Sequence, residues 1–415
     1  MQLVSVNRVG QVSVNAASRR GRRYDFTAGV LPAGVSFARA SAGYRFNSAG
    51  LLVSEASDVP RLQYDPATLV SRGLLVEDAR TNLFTKSEKF DDAAWTKTRA
   101  SVSANTGVAP DGATAMDTLI EDSTATSTHL LSRGVSFVAG TSYVFSVFVK
   151  ASGRTWLILT LPTTAFTLNY RANFDVTNGV LGTVSAGSTA FIQNVGGGIY
   201  RCSVIATATV TASASAQLNL TTGDGSLTYT GDGTSGLQLW GASIEAGDTT
   251  GTYISTDAAA VARAADVALV SNAAILSDQC YVLKARTPRR LSGGAVNVLM
   301  QIDDGTNNNN RRIVYGTDGR IHAIATVGGV DQCDLDLGAV AANTDFSVAA
   351  RFADNAFAAS LNGGAIVTDL VGVNPTGLTA ARLGRRSDGY AWNSTIRSIE
   401  TRAFASDADL PALAA

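Results

Sequence analysis

Apolar and polar positions alternate with a period of two through most of this chain, which is the signature of strands with one face buried. In SYVFSVFVKA the residues Tyr143, Phe145, Val147 and Val149 fall on one side. In RCSVIATATV the residues Cys202, Val204, Ala206 and Ala208 do the same. From about Phe90 to Ala246 such runs succeed one another, among them HLLSRGVSF, TWLILTLP, ANFDVTNG, AQLNLTT and LQLWGASIE. Seven or more of them with frequent turns predict a sandwich or jelly roll. A second series comes after it, QCYVLKAR, NVLMQID, RRIVYGT, RIHAIATV, FSVAARF, AFAASLNG and IRSIETRAF, with hairpin signals at Thr317-Asp318-Gly319 and Asn362-Gly363-Gly364. Only the end of the chain, SDADLPALAA, carries a helix start, with Ser406 as N-cap.

The fold class expected is therefore all-β, with two β-sandwich (jelly-roll) domains. Residues 1–34 read as an arm, with the basic cluster Arg19, Arg20, Arg22 and Arg23. Residues 35–89, short apolar segments broken by turns, read as a strand-rich collar. The jelly roll would occupy 90–250, a connector that is extended or briefly helical 251–270, and a second sandwich 271–415. No short repeat marks a solenoid.

Composition agrees with many short strands. Charged residues make up 16% of the chain, so Ser, Thr, Asn and 40 glycines must cover its surface. A formal net charge of −1 supplies no field that would draw the chain to nucleic acid. The arginine cluster lacks the interleaved aromatics of a nucleic-acid site and reads as a docking arm. No stretch is long and apolar enough for a spanning helix, and the start of the chain lacks a secretory pattern, so neither membrane insertion nor export by a signal peptide is expected. The three cysteines, Cys202, Cys280 and Cys333, are widely spaced and read as small buried apolar groups.

The run FARASAGYRFNSAGLLVSEASDVPRLQYDP, then GLLVEDARTNLF, EKFDDAAWTKT, APDGATAMDTLIED, YTGDGTSGLQLWGASIEAG and TYISTDAAAVARAADV, covers about residues 35 to 267. In this order it resembles a segment common in tail and fibre proteins of tailed phages and prophages. The resemblance implies a virion protein whose central module is similar to carbohydrate-binding jelly rolls. The last unit resembles laminin-G and concanavalin-like sandwiches in its order of strands and its ending WNSTIRSIETRAFASDADLPAL. These resemblances imply a structural and adhesive protein of a tail fibre, tail tip or head fibre. It would dock on other virion subunits through its arm, touch host surface glycan through its sandwiches, and assemble as a homotrimer. The segments before Phe84, too short to bury a core alone, would then pair between subunits. Two other readings compete: an architectural spacer or decoration protein of the particle, and a polysaccharide depolymerase.

Sugar recognition needs an aromatic face beside polar groups. Trp95 and Trp240 read as core residues. Trp156 with Arg154 in the turn just before it, and the loop pair Tyr390 and Trp392, are the candidate glycan-binding residues, with core packing of the aromatics as the competing reading. Asp303 and Asp304, ahead of Asn307 to Asn310, form the best candidate loop for calcium, and Asp224 and Asp232 sit in similar turns; ordinary turn chemistry is the competing reading. Gly231, Gly233 and Gly236 spell GxGxxG, but between two strands and with no helix after them, so a hairpin loop is expected. His129 and His322, the two histidines, lie inside strands without an evident partner, and no nucleophile elbow or metal motif occurs. The chain is therefore expected not to be an enzyme.

Overall fold

A computed structural model describes residues 21–272 and 274–415. It is all-β, with 52% of residues in strands and 5% in helix, arranged in antiparallel sheets. Among the described residues no helix is long and apolar enough to cross a membrane. Residues 1–20, with Arg19 and Arg20, lie outside the described part.

The central jelly roll is two six-stranded sheets face to face. One runs Thr189–Gly196, Ile199–Thr207, Ser142–Ser152, Gly236–Ala246, Thr114–Glu121, Ala100–Val108; the other runs Val180–Val184, Tyr170–Asp175, Trp156–Leu161, Ala212–Thr221, His129–Phe137, Thr96–Thr98. Tyr143, Phe145, Val147 and Val149 meet Leu157, Leu159 and Leu161 across the core, together with Cys202, Val204, Ala206 and Ala208. Period-two alternation put these residues on one face, and burial of that face holds the sheets together. All three cysteines are free and buried, and Trp95 and Trp240 are each 1% exposed.

The first sheet is buried on its outer face as well. There Phe148 and Trp240 pack against Tyr253, Met116 and the hairpin of Gly43–Phe46 with Leu52–Glu55, through Phe46 and Leu52. The outer face of the second sheet is closed at one end only, by the loop after Thr221, where the Gly225 N–H donates to Asn173 Oδ1 and Thr221 Oγ1 to the Ser226 carbonyl.

The strands of 35–89 do not form a collar of their own, which corrects the expected organisation. Leu62–Tyr64 and Ser71–Val76 extend the eight-stranded sheet of the C-terminal sandwich, where Leu74 pairs with Ile396. Arg22–Asp25 pairs with Ser394–Arg402 in the same sheet, and Val35–Ala38 pairs with Val267–Val270 in the opposing seven-stranded one. Arg80–Asn82 pairs with Val261–Arg263, so the jelly roll is inserted between two strands that close on each other at its base. The short strands expected to pair between subunits are thus paired within the chain. Of the supposed arm, Arg22 and Arg23 lie in a strand and bond Asp278 and Asp25. The connector is extended, with strands Val261–Arg263 and Val267–Val270.

A buried ion network fastens this base. The Arg61 guanidinium donates from Nη1 to Glu77 Oε2 at 2.5 Å and from Nη2 to Asp266. Arg263 Nη1 reaches the same Glu77 oxygen at 2.6 Å, and Arg39 Nη1 is 3.4 Å from Asp266 Oδ1. Burial opposes the charge of Glu77, but Arg263 and Arg61 outweigh it and hold the carboxyl down at about 2. The Asp266 N–H donates to the Glu77 carbonyl and the Glu77 N–H to the Asp266 carboxylate, while Arg39 also donates to the carbonyls of Ser41 and Ala56. These residues come from FARAS, VPRLQ, LLVEDA and VARAAD, the segments that carry the resemblance, so much of that signature spells out a clamp between distant parts of the chain.

The C-terminal turns form as expected. Gly319 and Gly363 have φ of 79° and 70°, a backbone region that glycine enters without strain. Ser406 caps the turn Asp407–Asp409 that leads into the helix Leu410–Ala414, with its N–H on Asp409 Oδ2 at 3.1 Å.

Candidate functional site

On the outer face of the second jelly-roll sheet Arg171, Gln217, Ser132 and Trp156 are partly exposed while Ile158, Thr160, Asn173, Asn219 and Thr221 are buried, and lateral register decides what stands there. Leu157, Leu159 and Leu161 point into the core, so Trp156, Ile158 and Thr160 point out. Thr160 pairs with Arg171 on one side and Gln217 on the other, Gln217 pairs with Ser132, and Ser132 with Thr96. Five strands thus place Arg171, Thr160, Gln217, Ser132 and Thr96 in one row. The next row is Asn173, Ile158, Asn219, Leu130 and Thr98, and above it stand Asp175, Trp156 and Thr221.

Most polar side chains of a folded protein are spent on each other. In this face many are not. Among the described residues the Arg171 guanidinium has no hydrogen bond or ion pair, and its Nε is buried without a partner. Gln217 and Ser132 make no side-chain hydrogen bond there. Asn219 donates to Thr160 Oγ1 at 3.2 Å, but its Oδ1, in a side chain 1% exposed, has no acceptor role filled. A floor of unspent guanidinium, amide and hydroxyl groups can exchange hydrogen bonds with a hydroxyl-rich ligand laid across the strands.

Trp156 stands at the upper end of this face, half-buried. Its Cζ3 lies over Gly182, where an added Cβ would meet it at 2.7 Å, beside the Asp224 carboxylate. Asp224 accepts from the N–H and Oγ1 of Thr183 at 3.0 Å, so this acid serves a turn at the rim. Arg154 is not free to act on a ligand. It grips Glu121, whose side chain is fully buried, with Nε to Oε2 at 2.7 Å, and its guanidinium lies 5.2 Å from the Tyr229 ring centroid. Glu121 also accepts from Tyr229 Oη at 2.6 Å and from the Asp232 N–H at 2.8 Å, so the arginine secures the loop that carries Gly231 and Gly233. A Cβ on Gly231 would lie 1.9 Å from the Asp122 carbonyl, and one on Gly236 2.0 Å from that of Leu119. Gly231 and Gly236 therefore permit close backbone packing, while Gly233, with φ of 77°, serves the turn between them.

The other candidates part company with expectation. Trp392 is fully buried, 5.9 Å from Phe346 between ring centroids, and has no face to offer a sugar. Tyr390 is 43% exposed, with the Arg386 guanidinium 4.3 Å from its ring centroid, so the expected pair is split between surface and core. Asp303 is fully buried and takes Arg382 Nε at 2.7 Å, and Asp304 is occupied by Thr306 and Asn309. A calcium ion would have to displace a guanidinium there, which corrects the expectation for that loop. Among the described residues no cluster of three or more His, Cys, Asp or Glu has metal-binding geometry.

The histidines have partners that sequence did not reveal. His129 is fully buried, with Nδ1 2.8 Å from the Arg99 carbonyl. His322 stands between Asp334 at 2.8 Å and Asp318 at 3.1 Å, and the bond to Asp334 leads the causes that raise it to about 9.

No family model matches the chain, and no curated protein does. Solved structures similar to it include the Ruminococcus gnavus IT-sialidase CBM40 bound to α2,6-sialyllactose, at 17% identity and a TM-score of 0.30, over 35% of this chain and 88% of that one. The same CBM40 without the sugar matches at 19% identity and a TM-score of 0.30, over 35% and 87%. Likeness at that level carries no argument about ligand or site.

Proposed function

We propose that this chain is a non-catalytic adhesive protein of a tailed-phage particle that holds host surface glycan on the open face of its jelly roll. The observation that supports the glycan reading is the row Arg171, Thr160, Gln217 and Ser132, in which all but Thr160 have no side-chain partner among the described residues, below a half-buried Trp156. The row can exchange hydrogen bonds with sugar hydroxyls, while the indole can take the apolar side of a ring. The phage reading is supported by the ordered resemblance of residues 35 to 267, whose arginines and acids build the clamp. Docking on virion subunits through the N-terminal segment and assembly as a trimer belong to the same reading. Weak single-site contacts become firm attachment when several copies act together.

A glycan array probed with the full chain, and then Gln217→Ala and Arg171→Ala on any saccharide bound, tests this. Binding should fall about tenfold for each variant while melting stays unchanged. Binding that is equal to the parent in both, with a saccharide bound elsewhere on the chain, would overturn the assignment of the face.

A further inference from the structure

A second polar site lies away from that face, where the jelly roll, the clamp and the C-terminal sandwich meet. A half-enclosed cavity of about 90 Å³ opens there, room enough for several waters. Its walls carry four arginines, Arg72, Arg201, Arg286 and Arg289, against two carboxylates, Asp65 and Glu77. Those acids are committed: Asp65 takes Arg72 at 2.8 Å, and Glu77 takes Arg61 and Arg263. Arg286 and Arg72 also share Asp345, at 2.8 and 3.1 Å.

Two arginines make no ion pair at hydrogen-bond distance among the described residues, although Glu245 and Glu77 act on Arg201 and Asp65 on Arg289 from farther off. Arg201 is 8% exposed; it donates to the Gly251 carbonyl at 2.6 Å and to Ser146, and its Nε has no partner. Arg289 makes no side-chain hydrogen bond or ion pair among the described residues. Burial, and after it the positive charges of Arg201 and Arg286, push the Arg289 guanidinium down to about 10, while its partly exposed side chain stays reachable from the cavity. A guanidinium so placed is stabilised by an oxyanion, whose oxygens match its planar fork.

We propose that this cavity binds a small oxyanion, held chiefly by Arg289 and Arg201. Carboxylate and tetrahedral sulfate or phosphate share the required chemistry, and the walls supply amides at Gln193 and Asn343 for remaining oxygens. The site is separate from the glycan face and stands or falls without it.

The test is thermal melting of the full chain with sodium sulfate, inorganic phosphate or acetate, each against chloride at equal ionic strength. The parent should show a saturable rise of about 2 °C or more with at least one oxyanion. The sulfate and phosphate arms against the acetate arm separate tetrahedral anions from carboxylates. Arg289→Gln should abolish the rise while melting at or above the parent in chloride, because it removes a crowded charge. Arg289→Lys keeps the charge without the fork and should fold like the parent while weakening binding about tenfold. No saturable rise in the parent, or an equal rise in both variants, would overturn the proposal. So would a Gln variant that melts well below the parent in chloride, since Arg289 would then be a structural filler.

Discussion

The two outer faces of the jelly roll belong to similar six-stranded sheets and have opposite fates. On one, Phe148 and Trp240 are sealed under Phe46, Leu52 and Tyr253, an apolar patch that buries this part of the outer face as fully as the core. On the other, the same alternation leaves Arg171, Gln217 and Ser132 partly exposed, with Asn219 buried beside them. A third outer face, on the seven-stranded sheet, is polar as well, but there Arg320 pairs with Asp336, Arg312 with Asp331 and His322 with Asp334. Polarity alone thus marks no site. The open face of the jelly roll is set apart because Arg171, Gln217 and Ser132 on it have no side-chain partner among the described residues.

The largest effect should come from the sealed face. Phe148 is fully buried in an aromatic cluster, with ring centroids 5.5 Å from Trp240 and 5.9 Å from Tyr253. Phe148→Ala should cost about 3–5 kcal/mol in denaturant unfolding, while Gln217→Ala should stay within about 0.5 kcal/mol. Similar losses in both variants would break the contrast between the faces.

Acid should act next, through the clamp that seats the covering hairpin. The folded carboxyl of Glu77 lies at about 2 against an ordinary 4.5, so its contribution is complete above about 4.5 and is lost as pH falls toward 2. A displacement of that size is worth about 3 kcal/mol. Melting measured between pH 6 and 2.5 should show the loss in the parent and a much flatter acid limb in Glu77→Gln, which should already be less stable at pH 6 because Arg61 and Arg263 lose their partner. An identical acid limb in the two proteins would place the titration elsewhere.

The paired polar face should show the opposite sign. His322 is held up at about 9 by Asp334, opposed by burial and aided by Asp318, so its contribution is full below the unfolded value near 6.5 and fades as pH rises through 9. Both aspartates are about half exposed, and screening reduces the effect to about 1 kcal/mol. His322→Gln should therefore melt lower than the parent at pH 6 and level with it near pH 10. A deficit that persists at pH 10 would mean that packing, not charge, carries the difference.

How far these faces were legible in the sequence depends on the distance over which the information acts. Alternation is local, and it placed Tyr143 through Val149 and Cys202 through Ala208 on the core side. Pairing partners are not local: Leu74 lies beside Ile396, and nothing within LLVEDA points to a strand more than 300 residues away, so a completed sheet read as a collar. Arg171, Gln217 and Ser132 each look like an ordinary outward residue of their own strand, and only lateral register makes a row of them. A bulky amide or guanidinium amid outward Ser, Thr and Ala was the one local hint. Trp392 misled because Asp388-Gly389 before it marks a turn; the chain goes inward two residues after Tyr390, with the Trp392 N–H on the Gly384 carbonyl at 2.8 Å. Charged residues inside apolar runs, Arg61, Glu77 and Asp266, could have announced the clamp, since a charge is rarely buried unless paired.

The smallest stability effect, and the finest test of the contrast, is at Trp156. Its backbone continues the strand that carries Leu157, but its side chain is on the open face, half-buried against Gly182 and Asp224. Truncation removes little core, so Trp156→Ala should cost under about 1 kcal/mol of stability, far below a buried aromatic. Stacking of an indole on a sugar ring is worth on the order of 1 kcal/mol beyond area burial, which corresponds to a loss of about fivefold in affinity for any saccharide bound on this face. Trp392→Ala supplies the control from the interior: it should unfold early, whereas Trp156→Ala should melt near the parent and bind more weakly. Melting and glycan binding measured on both variants decide the matter. If Trp156→Ala melts as early as Trp392→Ala, the indole is a core residue; if it melts like the parent and binds like it, the sugar does not reach this end of the sheet.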